Sequence, residues 1–334
     1  MAAPPAPAPH PHGDAWLAVG GADGALSLIS ASEARVAFRM GGGEGGAGRV
    51  LAVAGAGQAR PGLAATLHAG GTLALWAVAA EARLASWSVP GGTTVVADPG
   101  ARLLAVGGED GAVRLVALPA GRSEVEGVGV YGGGEADGAR PPPVAPPAAL
   151  PPDTPTLARP NAYAAAVESL AFLGRDGTRL LVKHADGRCV VWGGLGSPTP
   201  SVLASWRVPG HGPAPASTSS PGPSASALSV TADGALLAVG SPGGEAFVFD
   251  LSPYLTARAQ PAAAAAAPPP AILARAKPPR IAGPIRAVAL SDDGRHLSVA
   301  VGGGFVFRFE AGLFGPSEEV AAVEKMGGVE EEME

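Results

Sequence analysis

The stretch Leu103-Leu-Ala-Val-Gly-Gly-Glu-Asp-Gly-Ala-Val-Arg-Leu-Val116 contains the pattern that decides the fold. A run of small apolar residues ends at Gly107-Gly108, a turn follows through Asp110-Gly111, and a second apolar run alternates to Val116. Asp-Gly and Gly-Gly supply the positive φ that a tight two-residue turn requires. Two apolar runs joined by such a turn predict a β-hairpin.

The same hairpin pattern occurs six times between residues 16 and 309. When the low-complexity stretches between the copies are subtracted, successive turns lie about 40 residues apart. Units of about 40 residues with several strands each are typical of propeller blades rather than of helical solenoids. The turn glycines of the six copies are Gly24, Gly71, Gly111, Gly187, Gly244 and Gly304.

Pro- and Ala-rich inserts interrupt the repeats at about residues 121–162, 209–226 and 259–280. Proline lacks the N–H that a central strand donates, so these runs are unsuited to the middle of a sheet. We expect solvated, disordered loops there. The predicted domains are a disordered Pro-rich N-terminus over residues 1–13, a β-propeller over 14–314 and an acidic C-terminal tail over 315–334.

Two nearly identical octapeptides follow the second and fourth hairpins, at residues 84–91 and 203–210. They read Leu-Ala-Ser-Trp-Ser-Val-Pro-Gly and Leu-Ala-Ser-Trp-Arg-Val-Pro-Gly, which predicts the same outer strand on two blades. Trp87 and Trp206 occupy the same place in the two copies. An outermost strand can present aromatic rings to a partner, so both are candidate partner-binding residues; packing against the neighbouring blade is the alternative.

The turns and strands together resemble the WD40-repeat β-propeller family. In that family the innermost strand ends in a Ser-Pro-Asp-Gly-like turn, the next reads Leu-Ala-Ser-Gly-x-x-Asp-Gly, and the third ends in Trp-Asp. Here Trp76 and Trp192 stand where the Trp of Trp-Asp would, and the dipeptide Gly210-His211 precedes a blade as in the family. The resemblance covers roughly residues 14–310 and implies an all-β propeller with six recognisable blades of four-stranded antiparallel sheet.

The resemblance also implies that the ring is incomplete. WD40 propellers usually close when the N-terminal strand completes the last blade. This chain is expected to start at the second strand of blade one and to end at the third strand of blade six. The ring is then either an open six-bladed one or part of a seven-bladed one. Two explanations stay open: a partner donates strands to the open ring, or the natural N-terminus lies upstream of Met1.

The net charge of −6 is confined to one end of the chain. Residues 318–334 hold seven Glu and one Lys, so residues 1–317 are neutral by count. The absence of net charge over residues 1–317 disfavours nucleic-acid binding, which needs clustered Lys and Arg. No apolar run approaches the roughly 20 residues that span a bilayer, and the start lacks the features of a signal or transit peptide. We expect a soluble cytoplasmic or nuclear protein without a membrane partner.

Two histidines, His68 and His184, occupy the same position in the second and fourth hairpins, eight residues before Trp76 and Trp192. Side chains there are expected to cap the turn or pack between blades, and both are candidate partner-binding residues. A metal site would need both imidazoles to converge on one ion, which non-adjacent blades allow only at the central channel. Cys189 is the single cysteine and is expected to be a reduced core residue.

Six Asp residues recur in the predicted turns, where an Asp side chain hydrogen-bonds its own backbone. We expect them to cap turns. General acid–base catalysis would instead need two carboxyls held in a cleft with separated pKa values. The residues are Asp23, Asp110, Asp176, Asp186, Asp233 and Asp293.

The favoured function is a noncatalytic scaffold that mediates protein–protein interactions, as a subunit or adaptor of a multiprotein complex. Rigid blades with variable loops suit docking, and this hypothesis requires neither a cofactor nor a metal. The alternative is a propeller enzyme of the lactonase or quinoprotein kind, with a ligand or metal in the central channel.

Overall fold

The computed structural model describes a set of ranges that cover most of the repeats, and the strands within them form six sheets. Each sheet is one blade. The described residues are 16–30, 35–41, 48–55, 62–78, 82–118, 147–151, 154–157, 165–197, 199–211, 227–256, 268–278, 284–310 and 323–325.

The first three blades contain strands β1 to β12, which follow one another along the chain. Blade one is β1 (Trp16–Gly20), β2 (Ala25–Ser30) and β3 (Arg35–Gly41). Blade two is β4 (Val50–Gly55), β5 (Leu63–His68), β6 (Thr72–Ala77) and β7 (Ala82–Ser88), with β11 (Ala148–Ala149) added to β7. Blade three is β8 (Gly92–Ala97), β9 (Leu103–Gly108), β10 (Val113–Ala117) and β12 (Thr156–Leu157).

The last three blades each have four strands in chain order. Blade four is β13 (Val167–Leu173), β14 (Arg179–His184), β15 (Arg188–Gly193) and β16 (Ser201–Arg207). Blade five is β17 (Leu228–Val230), β18 (Leu236–Gly240), β19 (Ala246–Asp250) and β20 (Ile272–Ala276), with helix α1 (Ser252–Thr256) before β20. Blade six is β21 (Ile285–Leu290), β22 (His296–Val301), β23 (Val306–Glu310) and β24 (Val323–Lys325).

This arrangement confirms the all-β prediction: four of the six blades are four-stranded antiparallel sheets, blade one has three described strands, and blade two has a fifth, parallel strand. The strands β11, β12 and β20 lie inside the segments predicted to be loops, at about residues 121–162 and 259–280. All three sit at outer edges, where a Pro-rich neighbourhood is tolerated because an edge leaves N–H groups unpaired. The tail also contributes β24, which pairs with β23, so blade six extends beyond the expected third strand.

The six hairpin turns differ in one respect from the sequence prediction. The turn glycines lie at positive φ, from 74° at Gly71 to 83° at Gly304, whereas the residues before them, Asp in three turns and Gly in the other three, do not. In the first hairpin the Gly21 N–H bonds the Ala25 carbonyl and the Gly24 N–H bonds the Gly21 carbonyl. This pattern is a three-residue loop with its last residue left-handed, which requires only one glycine.

A β-bulge recurs at the same place in the innermost strand of four blades. The pairing register shifts after the first residue of β4, β8, β13 and β21. A bulge leaves one extra residue unpaired and re-aims its side chain. The extra residues are Leu51, Thr93, Glu168 and Arg286.

The contacts between successive blades, which we call seams, depend on a pairing of one large and one small residue. A Cβ placed on Gly20 would lie 2.4 Å from Cγ1 of Val50, the first residue of the next innermost strand. Further seams repeat this fit, with Cβ distances of 2.4 Å for Gly107 against Val167 and 2.6 Å for Gly240 against Ile285. The seam after blade two reverses it, with Leu67 3.0 Å from a Cβ on Gly92.

We predict that Gly107→Ala destabilises the propeller by about 1–3 kcal/mol, because the added methyl overpacks the seam against Val167. Urea unfolding followed by circular dichroism measures this free energy. Gly55→Ala is the matched control, since Gly55 also lies in a strand but a Cβ there meets nothing within 4 Å. The double variant Gly107→Ala, Val167→Ala should recover part of the lost stability. If Gly107→Ala proves as stable as Gly55→Ala, the packing argument is wrong.

Candidate functional site

The face of blade six that looks away from blade five is exposed, whereas the equivalent face of each other blade is buried against the blade that follows it. Two third-strand residues of each blade face the following blade, and in blades one to five they are at most 4% exposed. The equivalent residues of blade six are Val306, which is 54% exposed, and Arg308, which is also exposed. The covered pairs are Leu26 and Leu28, Leu73 and Leu75, Val113 and Leu115, Cys189 and Val191, and Ala246 and Val248.

Blade one has the complementary exposed face, on the side away from blade two. Its second-strand residues Leu17 and Val19 are 58% and 40% exposed. Their equivalents in the other five blades face the preceding blade and are at most 4% exposed. These equivalents are Ala64 and Thr66, Leu104 and Val106, Leu180 and Val182, Leu237 and Val239, and Leu297 and Val299.

The inner edge of β1 is a further unpaired feature of blade one among the described residues. The second strand of every other blade pairs with a neighbour on both sides, whereas β1 pairs only with β2 among the described residues. Such an edge presents backbone N–H and C=O groups that can pair with another chain. We call this edge, together with Leu17, Val19, Val306 and Arg308, the open seam.

Sequence reasoning missed the side chains of the open seam, because Leu17 and Val19 follow the same apolar pattern as the buried copies. Only their place in the order of blades leaves them exposed. The expectation of an incomplete ring was the single signal that pointed to this region.

The predicted partner residue His68 lies instead inside blade two, at 3% exposure. Its Nδ1 donates to the Gly48 carbonyl at 3.2 Å, because a carbonyl can only accept. Its Nε2 therefore accepts from the Thr66 hydroxyl at 2.9 Å, and that hydroxyl accepts from the Trp76 indole N–H at 2.8 Å. This relay ties β5 and β6 to the segment that enters the innermost strand.

His184 has the same structural role in blade four. It is 2% exposed, and its Nδ1 donates to the Ala165 carbonyl at 3.0 Å, just before β13. His68 and His184 lie in separate sheets, two blades apart. Their burial leaves no side-chain surface for a partner, so we assign both to the blade interior, in agreement with the capping alternative.

We predict that Thr66→Val destabilises the fold by about 1–3 kcal/mol, because it leaves the buried Trp76 N–H and His68 Nε2 without partners. Thr66→Ser keeps the hydroxyl and is the control. Thermal unfolding of the three proteins measures the difference. A Val variant as stable as the Ser variant would show that the relay contributes nothing.

The two predicted tryptophans are packed against neighbouring elements. Trp206 is 7% exposed, with its ring 5.9 Å from that of Phe249 and stacked at 6.5 Å on that of Tyr254 in blade five. Trp87 is half-buried, packs against the core between blades two and three, and pairs with Ala148 of β11 in the register. Trp206 therefore packs against the neighbouring blade, whereas Trp87 keeps part of its surface exposed.

Blade four carries a polar row on the face toward blade five. Lys183 is fully buried and forms an ion pair with Glu168, the extra residue of the β13 bulge. Cys189 pairs with Lys183 in the register, and burial raises the pKa of its thiol to about 12. That thiol is neutral at physiological pH and is a poor nucleophile. Burial also lowers the pKa of the nearby His211, which favours its neutral form.

We predict that Lys183→Leu alone costs about 3–5 kcal/mol, because it leaves the Glu168 carboxylate buried without its cation. The double variant Lys183→Leu, Glu168→Leu should recover most of that stability, since blade two has Leu67 and Leu51 at these positions. Chemical unfolding of the single and double variants measures both effects. A double variant no more stable than the single one would contradict this account.

The turn carboxylates behave as the sequence predicted. Each of the six Asp side chains accepts a hydrogen bond from the backbone N–H two residues later. In the blade five turn, bonds from the Thr231 hydroxyl and the Ala235 N–H lower the pKa of Asp233. These carboxylates cap separate turns.

The described residues contain neither a cluster of candidate metal ligands nor a helix that could span a membrane. Within the ranges that the structure describes, no group of three or more His, Cys, Asp or Glu could hold a metal ion. In the same ranges, no helix has the length and apolar character needed to cross a bilayer.

Comparison with solved structures identifies the architecture. The chain resembles a chain of a structure titled mitotic checkpoint complex with a TM-score of 0.57 and 14% identity, over 86% of this chain and 69% of the other. It resembles the Myceliophteria thermophila Cps50 (Swd1) β-propeller domain with a TM-score of 0.61 and 14% identity, over 91% and 83%. These likenesses show that the fold is a β-propeller. No family model and no curated protein matches the sequence.

Proposed function

We propose that this WD40-type propeller is a noncatalytic scaffold that mediates protein–protein interactions as a subunit or adaptor of a multiprotein complex. The observation that carries the proposal is the open seam, where apolar side chains that are buried in every other blade are exposed. Exposed apolar surface of this kind marks interaction sites in folded proteins. One neighbouring propeller fold comes from a structure of a checkpoint complex, which is consistent with a role in assembly.

The open seam also defines how a partner would bind. The inner edge of β1 can accept a strand through backbone hydrogen bonds, and a partner can also bury Leu17 and Val19 on the exposed face of blade one. Strand addition of this kind takes its affinity from the main chain and its specificity from alternate side chains. A partner that donates a strand would therefore convert an exposed edge into a covered one.

The proposal is tested by affinity purification of the tagged full-length chain from its native cells, with quantitative mass spectrometry. The double variant Leu17→Asp, Val19→Asp places charges on the open seam. Ile272→Asp is the matched control, because Ile272 is 49% exposed on the outer strand β20, away from the seam. Circular dichroism confirms that all three proteins are folded.

We expect a stoichiometric protein partner with the wild type and with Ile272→Asp. Its recovery should fall roughly tenfold with the seam variant, which corresponds to about 1.4 kcal/mol of lost binding free energy. Equal recovery with both variants would exclude the open seam as the docking site. A purified protein without partners that carries a bound metal or cofactor and turns over a substrate would overturn the scaffold proposal.

A further inference from the structure

We propose that the outer edge of β10 is a docking site for a partner β-strand with the sequence Leu-x-x-Trp, and that residues 154–157 of this chain cover the site when no partner is bound. We call residues 154–157, which include β12, the strap. We call the edge of β10 and the space around Leu157 the rim site. The inference rests on the proposed scaffold function and adds a surface on blade three that is separate from the open seam.

The strap covers only part of the edge with which it pairs. The outer strands of blades one, two, four and five contain five to seven residues, whereas β12 contains two. The strap pairs Leu157 with Val113 and Thr156 with Arg114, and the register ends there. Ala117, at the far end of β10, is exposed. β10 is therefore long enough to pair with a longer strand than the one that the strap supplies.

Pro155 limits the hydrogen bonding of the strap. The Leu115 N–H donates to the Pro155 carbonyl at 2.9 Å, so these two residues form a hydrogen-bonded pair of the ladder. Such a pair normally exchanges two bonds, one in each direction. Proline has no N–H, so this pair has only one of them. A partner strand with any other residue at this position supplies the second bond.

The pairing registers indicate which side chain the rim site suits. The residue equivalent to Leu157 is tryptophan in the blades on either side, methionine in blade one and alanine in blade five. These equivalents are Trp87, Trp206, Met40 and Ala276, which pair with Leu73, Cys189, Leu26 and Ala246 as Leu157 pairs with Val113. Leu157 therefore stands where both neighbouring blades have a much larger ring.

Leu157 leaves part of its site empty. Its side chain is 4% exposed and packs between blades three and four. A small cavity remains beside it, lined by Val113 of blade three and by Val182, Val190 and Trp192 of blade four. Atoms that line such a gap lose dispersion contacts, which a larger side chain restores. A larger apolar side chain therefore fits the rim site better than Leu157 does.

The chain itself contains the sequence that suits this edge. Leu-Ala-Ser-Trp occurs at residues 84–87 in β7 and at residues 203–206 in β16, and both strands pair with the whole length of the third strand of their blade. In both copies the leucine packs in the core between that blade and the next. The strap has Thr154 at this position, three residues before Leu157. A partner strand with Leu and Trp three residues apart therefore offers two apolar anchors where the strap offers one.

Two peptides test the inference on the full-length protein. One contains residues 84–91, Leu-Ala-Ser-Trp-Ser-Val-Pro-Gly, and the other is the same peptide with Trp87→Ala. Both carry the same fluorescent label and the same soluble flanking residues. Fluorescence anisotropy measures affinity and stoichiometry. Hydrogen exchange measures protection of the Ala117 amide, which points to the outer edge as the Leu115 amide does.

We expect the Trp peptide to bind one to one, at least roughly tenfold tighter than the Ala peptide, and to protect Ala117. Leu157→Asp weakens the strap and should tighten binding of the Trp peptide roughly tenfold. Leu157→Trp completes the strap and should weaken binding by a similar factor. Ile272→Asp and the seam variant Leu17→Asp, Val19→Asp should leave the affinity unchanged, and circular dichroism confirms that all variants are folded.

Three results would overturn the inference: equal affinity of the two peptides, the same affinity in both Leu157 variants, or loss of binding in the seam variant. The last result would place the peptide at the open seam. Opposite shifts in the two Leu157 variants cannot come from a general loss of structure. A partner whose recovery depends on the open seam, together with no binding of either peptide to Leu157→Asp, would remove the rim site but leave the scaffold function in place.

Discussion

The fit between one large and one small residue, seen at four of the five seams between described blades, is the constraint on which the rest of the propeller depends. Blades pack face to face, so their innermost strands converge, and two large side chains cannot share the narrow end of the wedge. Gly20, Gly107 and Gly240 solve this on the second strand, and Gly92 solves it on the first. These glycines lie outside the positive φ region, so space rather than backbone freedom explains their presence.

The bulges and the buried histidines also help to position the innermost strands in the seams. Each bulge lets the first residue of an innermost strand keep its place in the seam while the following side chain turns toward another partner. Thr93 uses this freedom to place its hydroxyl 2.6 Å from the Val167 carbonyl of blade four and 3.0 Å from the Gly107 carbonyl, so its single hydrogen is shared between the two blades. His68 and His184 hold the backbone just before two of these strands. Blade geometry is therefore fixed at the entrance to the innermost strand.

The sequence predicts those parts of the fold that depend on local chemistry. Gly24 and its five equivalents identify the hairpins because a left-handed residue in a tight loop is a local requirement, and Asp233 caps its turn for the same reason. Tertiary features were harder to predict. Trp206 looks identical to Trp87 in sequence, yet it is more deeply buried because blade five supplies the rings of Phe249 and Tyr254 beside it. The exposure of Leu17 likewise depends on which blade precedes it, which local alternation cannot show.

The ends of the ring are the place where stability and binding are coupled. In a stack of blades each unit is stabilised mainly by its neighbours, so an end unit has about half of the contacts of an interior one. Blades one and six are such ends, since Leu17 and Val306 remain exposed where interior equivalents are buried. We therefore expect local opening to begin at β1 and β23 before it reaches blade four. A partner that covers these residues stabilises the native state by an amount that rises with the logarithm of the ratio of its concentration to the dissociation constant. Binding at the open seam therefore also stabilises the folded protein. The stability of blades one and six then depends on whether the partner is present.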